Sequence, residues 1–238
     1  MNLSGAFSYG NIIKTLIPGI CVTLATLSLI DAYMFSFESR YVTFDFVSKY
    51  SVLSLGMLIP CSIFAGIISN SVCFSMIIPK YIEKPLKTKD VEFFKYKKDV
   101  INEMNSHYFE LLQYDQEMRN SFDENFDVRS LLLNRKNLSN FQYLRESYWY
   151  YMEFQVNSIL SIALLSLTAL LHIFLNYWMG NLGGTYALLY VVFILLSNYI
   201  LFKVFMRAAR ENYVKHEKKS LSYLQGAYHI CRYGHSSQ

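Results

Sequence analysis

Apolar residues gather in four blocks along this 238-residue chain, and the segments between the blocks hold nearly all of its charge. The longest block lies between Glu153 and Lys203, where forty-nine consecutive residues include no Asp, Glu, Lys or Arg. A bilayer core about 30 Å thick takes roughly 20 helical residues to cross. The run therefore predicts two crossings joined by a short turn, with Gly183-Gly184 just past its midpoint as the turn. The two crossings are expected from about Asn157 to Trp178 and from about Thr185 to Met206. Thirty charge-free residues between Lys49 and Lys80 predict another crossing, and the block from about Ile12 to Tyr33, interrupted by Pro18-Gly19, predicts the first. Trp149 and Trp178 are 29 residues apart, about 43 Å on one helix, the spacing of two interface anchors on either side of a bilayer.

The expected fold is an all-α membrane protein with four transmembrane helices in two hairpins, a helical cytoplasmic insert and a C-terminal helix. The expected division is residues 1–79 for the first hairpin, 80–153 for the insert, 154–206 for the second hairpin and 207–238 for the C-terminal helix and tail. Composition agrees, because only 17% of residues are charged against roughly 25% in soluble domains. Lys14 lies inside the first apolar block rather than ahead of it, and no small-x-small cleavage pattern follows, so a retained helix is expected rather than a signal peptide. Cys21, Cys61, Cys73 and Cys231 form no paired framework and are expected to be reduced.

Sidedness follows from the lysines and arginines that flank each crossing. Lys80, Lys84, Lys87 and Lys89 follow the second, and Lys203, Arg207, Arg210, Lys215, Lys218 and Lys219 follow the fourth. The connection after the first carries only Arg40 and Lys49, and the connection after the third carries no charge. Both termini and the insert are therefore expected on the cytoplasmic side of a cell (inner) membrane.

The insert holds twelve basic and thirteen acidic residues and should fold rather than trail as a polybasic tail. Phe93, Val100, Ile101, Met104, Tyr108, Leu111 and Leu112 recur at helical spacing between Asp90 and Tyr114, with Thr88 or Asp90 as the cap. Val128 to Leu133 make a shorter apolar turn. Asn137 or Ser139 can then cap a helix with no breaker before Gly180, and the fourth crossing has none before Gly226.

Small and weakly polar residues line one face of the second crossing: Ser54, Ser62, Gly66, Ser69, Asn70 and Cys73. Ser158, Ser161, Thr168, His172 and Asn176 do so on the third, and Thr15, Gly19, Thr23 and Thr26 on the first. Such stripes let membrane helices approach closely, and they also line water-filled paths closed by aromatic constrictions. Both readings stand, with Phe64 and Phe74 as the gating aromatics of the second. His172 is the one titratable group of interest inside a crossing, and a polar contact with Asn176 one turn away is its simplest role. A transporter with a charged midplane site is disfavoured.

No hydrolase elbow, phosphate loop or zinc-binding histidine pair occurs, so neither an enzyme nor a cofactor is expected. Glu146 and Glu153 are the best pair for lipid chemistry, and solvated carboxylates are the plainer reading. Phe93-Phe94-Lys95-Tyr96-Lys97-Lys98 interleaves aromatics and cations as single-strand binders do. Arg145, Lys215, Lys218 and Lys219 would extend that surface toward a nucleotide or oligonucleotide. The alternative is an ordinary amphipathic helix with lysines near anionic lipid.

Two helical hairpins around a helical insert, with Leu16-Ile17-Pro18-Gly19 early in the first crossing, resemble small membrane effectors of bacterial anti-phage defence. The chain looks most like the channel-like membrane subunit of Hailong defence, and next most like the membrane component of Kiwa defence. The resemblance implies a homo-oligomer, a tetramer, whose pore answers to a nucleotide-derived ligand on its cytoplasmic face and whose opening depolarises the membrane. It assigns no residue position by position. A membrane-anchored sensor or scaffold that docks a cytoplasmic defence partner is the competing function.

Overall fold

A computed structural model describes residues 12–38, 42–111 and 142–233. Among these residues every regular element is helical. A π-helical turn, Ile12–Leu16, leads into α1, Ile17–Glu38. A short helix, α2, covers Val42–Lys49, and α3 covers Ser51–Val72. A π-helical segment, Cys73–Glu83, continues α3 and is followed by α4, Lys84–Lys89, and α5, Val91–Leu111. A π-helical turn, Arg145–Trp149, precedes α6, Tyr150–Trp178, and α7 runs from Gly184 to Tyr233.

Four helical stretches are long and apolar enough to cross a membrane: Lys14–Phe35, Gly56–Lys89, Gln142–Trp178 and Gly184–Gly226. Three of them exceed the roughly 20 residues a bilayer requires by a wide margin. The apolar blocks end earlier in sequence than the helices do, because the charged residues beyond each block are themselves good helix formers. The helix also passes straight through Gly226, the expected break, where a Cβ would meet nothing within 4 Å.

Proline and glycine shape the helices where the backbone requires it. Pro18 lies one turn after Lys14 in a continuous helix and lacks the N–H that would bond the Lys14 carbonyl, which accepts from the Asn157 amide instead. Pro79 sits inside the π-helical segment, whose i→i+5 pattern gives its ring room that an α-turn denies it. The connection after α6 covers residues 179–183, with Gly183 at its end as expected, but the left-handed residue that closes the helix is Gly180. Gly180 has φ +75°, its N–H bonds to the Tyr177 carbonyl at 3.1 Å, and the Asn181 N–H bonds to the Asn176 carbonyl at 2.9 Å. This paired closure is the Schellman arrangement that a left-handed glycine permits. Gly184 instead opens α7.

The chain divides into two compact units, Met1–Ile82 with Tyr150–Asn212, and Glu83–Trp149 with Tyr213–Gln238. In the first, α1 is the central helix and packs against both α3 and α6. Arg210 of α7 donates two hydrogen bonds to the Tyr81 carbonyl, at 3.2 and 3.0 Å, and Asn212 donates to Gln155 at 3.1 Å. Otherwise α7 is loosely held here: its most apolar stretch has no buried residue. In the second unit Leu86, Met104, Leu144, Tyr213, Leu221 and Leu224 are buried. Met104 thus fills the core position that its helical spacing predicts. The side chains of Tyr108, Leu111 and Leu112, the apolar turn Val128 to Leu133 and the caps Asn137 and Ser139 lie outside the described residues.

Candidate functional site

The polar groups of the membrane-length helices converge on the contact between α1, α3 and α6. At one end the Lys14 ammonium pairs with the Glu153 carboxylate at 3.0 Å, and both side chains are almost wholly removed from solvent. The same ammonium lies 4.6 Å from the centre of the Tyr150 ring. One turn further along α6, the Asn157 amide nitrogen donates to the Lys14 carbonyl at 2.8 Å and to Asn70 Oδ1 at 2.9 Å. Both acceptors fix which end of the amide is nitrogen. Asn157 Oδ1, fully buried, is left without a partner.

The face continues up α6. The Ser161 hydroxyl, fully buried, donates to the Asn157 carbonyl at 2.8 Å, and Thr168, 2% exposed, donates to the Leu165 carbonyl at 2.7 Å. His172 Nε2 meets the Ser28 carbonyl at 2.9 Å, and Asn176 donates to the His172 carbonyl at 2.9 Å. Ser62, fully buried, donates across from α3 to Thr23 on α1 at 3.4 Å. Beyond His172, Asp31 Oδ1 accepts the Thr43 N–H at 2.7 Å, so this carboxylate caps the first turn of α2.

Close packing of α1 on α3 depends on two glycines. A Cβ at Gly19 would stand 1.8 Å from the Ser62 carbonyl oxygen, and one at Gly66 would stand 2.1 Å from the Thr15 carbonyl oxygen. The small-residue stripe of α3 is therefore occupied within one chain: Ser62, Gly66, Ser69 and Cys73 are buried, and Asn70 is half-buried in its bond to Asn157. Phe64 is 68% exposed on the opposite side, beside an apolar furrow of about 810 Å³ lined in part by Thr26, Pro60, Cys61, Ser69 and Leu164. Phe74 is half-buried.

In the second unit Lys95, Lys98, Arg145, Lys215, Lys218 and Lys219 are exposed. Lys218 lies over the Phe93 ring at 5.4 Å, and Lys219 donates to the Tyr148 hydroxyl at 2.8 Å. That hydroxyl holds the Lys219 ammonium above the ordinary lysine value. Lys97 departs from the expected cationic surface. It is ion-paired and hydrogen-bonded to Glu217, and both side chains are largely shielded. The exposed positions of α5 were legible from its charge pattern, but the partner 120 residues away was not.

No family model, curated protein or solved structure matches the chain.

Sequence reasoning placed Glu153 in solvent and took Ser158 as the start of the polar face on α6. The structure buries Glu153 at 3% exposure against Lys14, while Glu146 is exposed as expected. It also shows Asn157, immediately before Ser158, as the residue that joins all three helices. The i, i+4 spacing of Glu153, Asn157 and Ser161 is a signal for that face, though nothing in it points to Lys14.

Glu217, beyond the apolar stretch that ends near Met206, supplies a pH-dependent property. Burial would raise its carboxyl, but hydrogen bonds and charges from His216 and Lys97 outweigh that and hold it below the ordinary carboxylate range. A depressed folded-state value means that the stabilisation is complete above the unfolded value of about 4.3. It is lost as pH falls through the folded value. Trp149 stands 5.0 Å from the His216 ring and 6.3 Å from Tyr213. In a Trp178→Phe chain its emission is expected to shift to that of a solvated indole as pH falls below the unfolded value of about 4.3. A Lys97→Met chain, with that stabilisation removed, should make the shift at higher pH. Identical acid midpoints for the two chains would refute this role for the pair.

Proposed function

We propose that this protein is a homo-oligomeric, channel-like protein of the bacterial inner membrane, with both termini cytoplasmic, that lets ions cross when its second helical unit binds an anionic ligand. The observation that carries the reading is the row of polar side chains on α6, buried at Glu153, Asn157, Ser161 and Thr168 and continued by half-buried His172 and Asn176. It covers 24 residues, about 35 Å of helix rise, while a bilayer core is about 30 Å thick. Ionisable and amide groups at such depth are costly, and in membrane proteins they mark the routes of ions and protons.

Exposed lysines beside aromatic rings on the second unit support a nucleotide or oligonucleotide as the ligand, through phosphate neutralisation and base stacking. The architectural resemblance to anti-phage effectors supports depolarisation of an infected cell as the outcome, with a tetramer as the assembly. Reconstitution into liposomes tests the reading. Ion flux that rises when an oligonucleotide is added, and that falls in a Lys215→Glu, Lys218→Glu, Lys219→Glu chain, is the expected result. Folded, oligomeric protein that passes no ion under any ligand or voltage would end it. One observation favours the scaffold reading: the small-residue stripe of α3 is consumed in packing on α1. A stoichiometric cytoplasmic partner recovered with an ion-impermeable protein would establish that function instead.

A further inference from the structure

From the same buried face we infer that the species conducted is the proton, and that it passes through the three-helix core of each subunit rather than through an aqueous lumen. This inference rests on the ion-path reading above. Glu153, Asn157, Ser161, Thr168, His172 and Asn176 follow one another on α6 at intervals of four, four, seven, four and four residues, which keeps them on one side of a 3.6-residue helix. The seven-residue interval is filled by the other helices. Asn157 meets the Lys14 carbonyl and His172 meets the Ser28 carbonyl, so α1 and α6 advance together in the same direction. Thr23, nine residues beyond Lys14, therefore lies level with about residue 166 of α6, and it carries the hydrogen bond from Ser62. Successive polar levels are then spaced by about 3–8 Å of helix rise, most of them about 6 Å, a distance that two hydrogen bonds through one water span.

Two features select a proton over a hydrated metal ion. The backbones of α1 and α3 touch at Gly19 and Gly66, which leaves no bore wide enough for an ion with its water shell. A proton needs no bore, because it moves by exchange along hydroxyls, an imidazole and single waters. Each hop breaks one O–H or N–H bond and forms another, and the proton taken up at one mouth is matched by one released at the other. The second feature is Asn157 Oδ1, a fully buried acceptor with no partner. It is the kind of group that holds an ordered water inside a protein, and it lies on this track. In the conformation described, the Lys14 ammonium stands at the inner mouth and repels an entering proton. The Lys14–Glu153 pair is therefore the resting block.

The test uses full-length protein in liposomes, with internal pH read by a trapped dye and potassium release read separately without ionophore. Lys14→Gln, Glu153→Gln removes both charges together and keeps a polar mouth. Proton entry in this double variant is expected to exceed the wild-type rate by about tenfold or more, with potassium release at the level of empty vesicles. Adding Asn157→Leu should return proton entry to baseline. The wild type under an inside-negative potential of about 100 mV, worth about 2.3 kcal/mol per charge, supplies a second measurement that needs no mouth variant. It should pass protons, and Asn157→Leu alone should stop them. Potassium release that accompanies proton entry and ignores Asn157→Leu would overturn the proton inference while leaving an ion channel in place. No flux of either ion in any of these proteins, with or without added oligonucleotide, would overturn both.

Discussion

Gly19→Val is expected to remove most of the stability of the membrane-length helices, by about 3 kcal/mol or more. Overpacking a core costs about 1–3 kcal/mol where side chains can shift. Here the obstacles are the Ser62 carbonyl oxygen at 1.8 Å and the Gly66 nitrogen at 2.9 Å, both backbone. The valine can be accommodated only if α1 and α3 move apart, which also breaks the Ser62 to Thr23 bond and strands the half-buried groups around it. Since whole domains are stable by only about 5–15 kcal/mol, little folded protein should survive extraction. Gly66→Val should behave alike, because its Cβ would strike the Thr15 carbonyl. Gly56→Val, where a Cβ meets nothing within 4 Å, should melt with the wild type. Thermal unfolding of detergent-solubilised protein, followed by circular dichroism, checks all three. A Gly19→Val chain that unfolds at the wild-type temperature would show that the contact is not what holds the helices together.

The second large effect is expected at Glu153. Replacing it with leucine leaves the Lys14 ammonium buried without its carboxylate, and breaking one half of such a pair costs about 3–5 kcal/mol. The Tyr150 ring beneath the ammonium offsets part of this, since a cation over an aromatic face contributes about 0.5–2 kcal/mol. Lys14→Met combined with Glu153→Leu should recover most of the loss, because an apolar pair of similar volume is often as stable as the ion pair it replaces. The informative quantity is the double-mutant coupling energy. Strictly additive losses would mean that the two side chains act independently despite their 3.0 Å separation.

Much of the helical framework was legible in the sequence, since a run without charge between Glu153 and Lys203 leaves few other structures. The helix ends were not, because Lys84 to Lys89 and Arg207 to Lys219 are good helix formers that carry the backbone past the apolar blocks. Gly183-Gly184 read as the turn since paired glycines mark turns, but the closing geometry needs its left-handed residue two positions after Trp178, and Gly180 is there. The candidate site was half legible. Periodicity placed Ser62, Gly66, Ser69, His172 and Asn176 on shared faces. What it could not show was pairing across the fold, because nothing local in Lys14 or Lys97 indicates the carboxylates at Glu153 and Glu217 that meet them. Burial of a charge is a property of the assembled contact, and a neighbour more than a hundred residues away leaves no mark on spacing.

α7 is loosely attached to the other membrane-length helices. Its most apolar stretch buries none of its residues, and an open cleft of about 290 Å³ separates it from α6 around the Ser166 to Asn198 hydrogen bond. In a bilayer most of its surface would be left to acyl chains or to a second copy of the chain. A helix so placed adjusts its tilt when bilayer thickness changes, at a cost of only fractions of a kcal/mol per ångström of mismatch, while α1, α3 and α6 stay locked by their glycine contacts and buried ion pair. Lipid composition should thus act on one helix of the four, and a thicker or thinner membrane would tune the fourth crossing without loosening the other three.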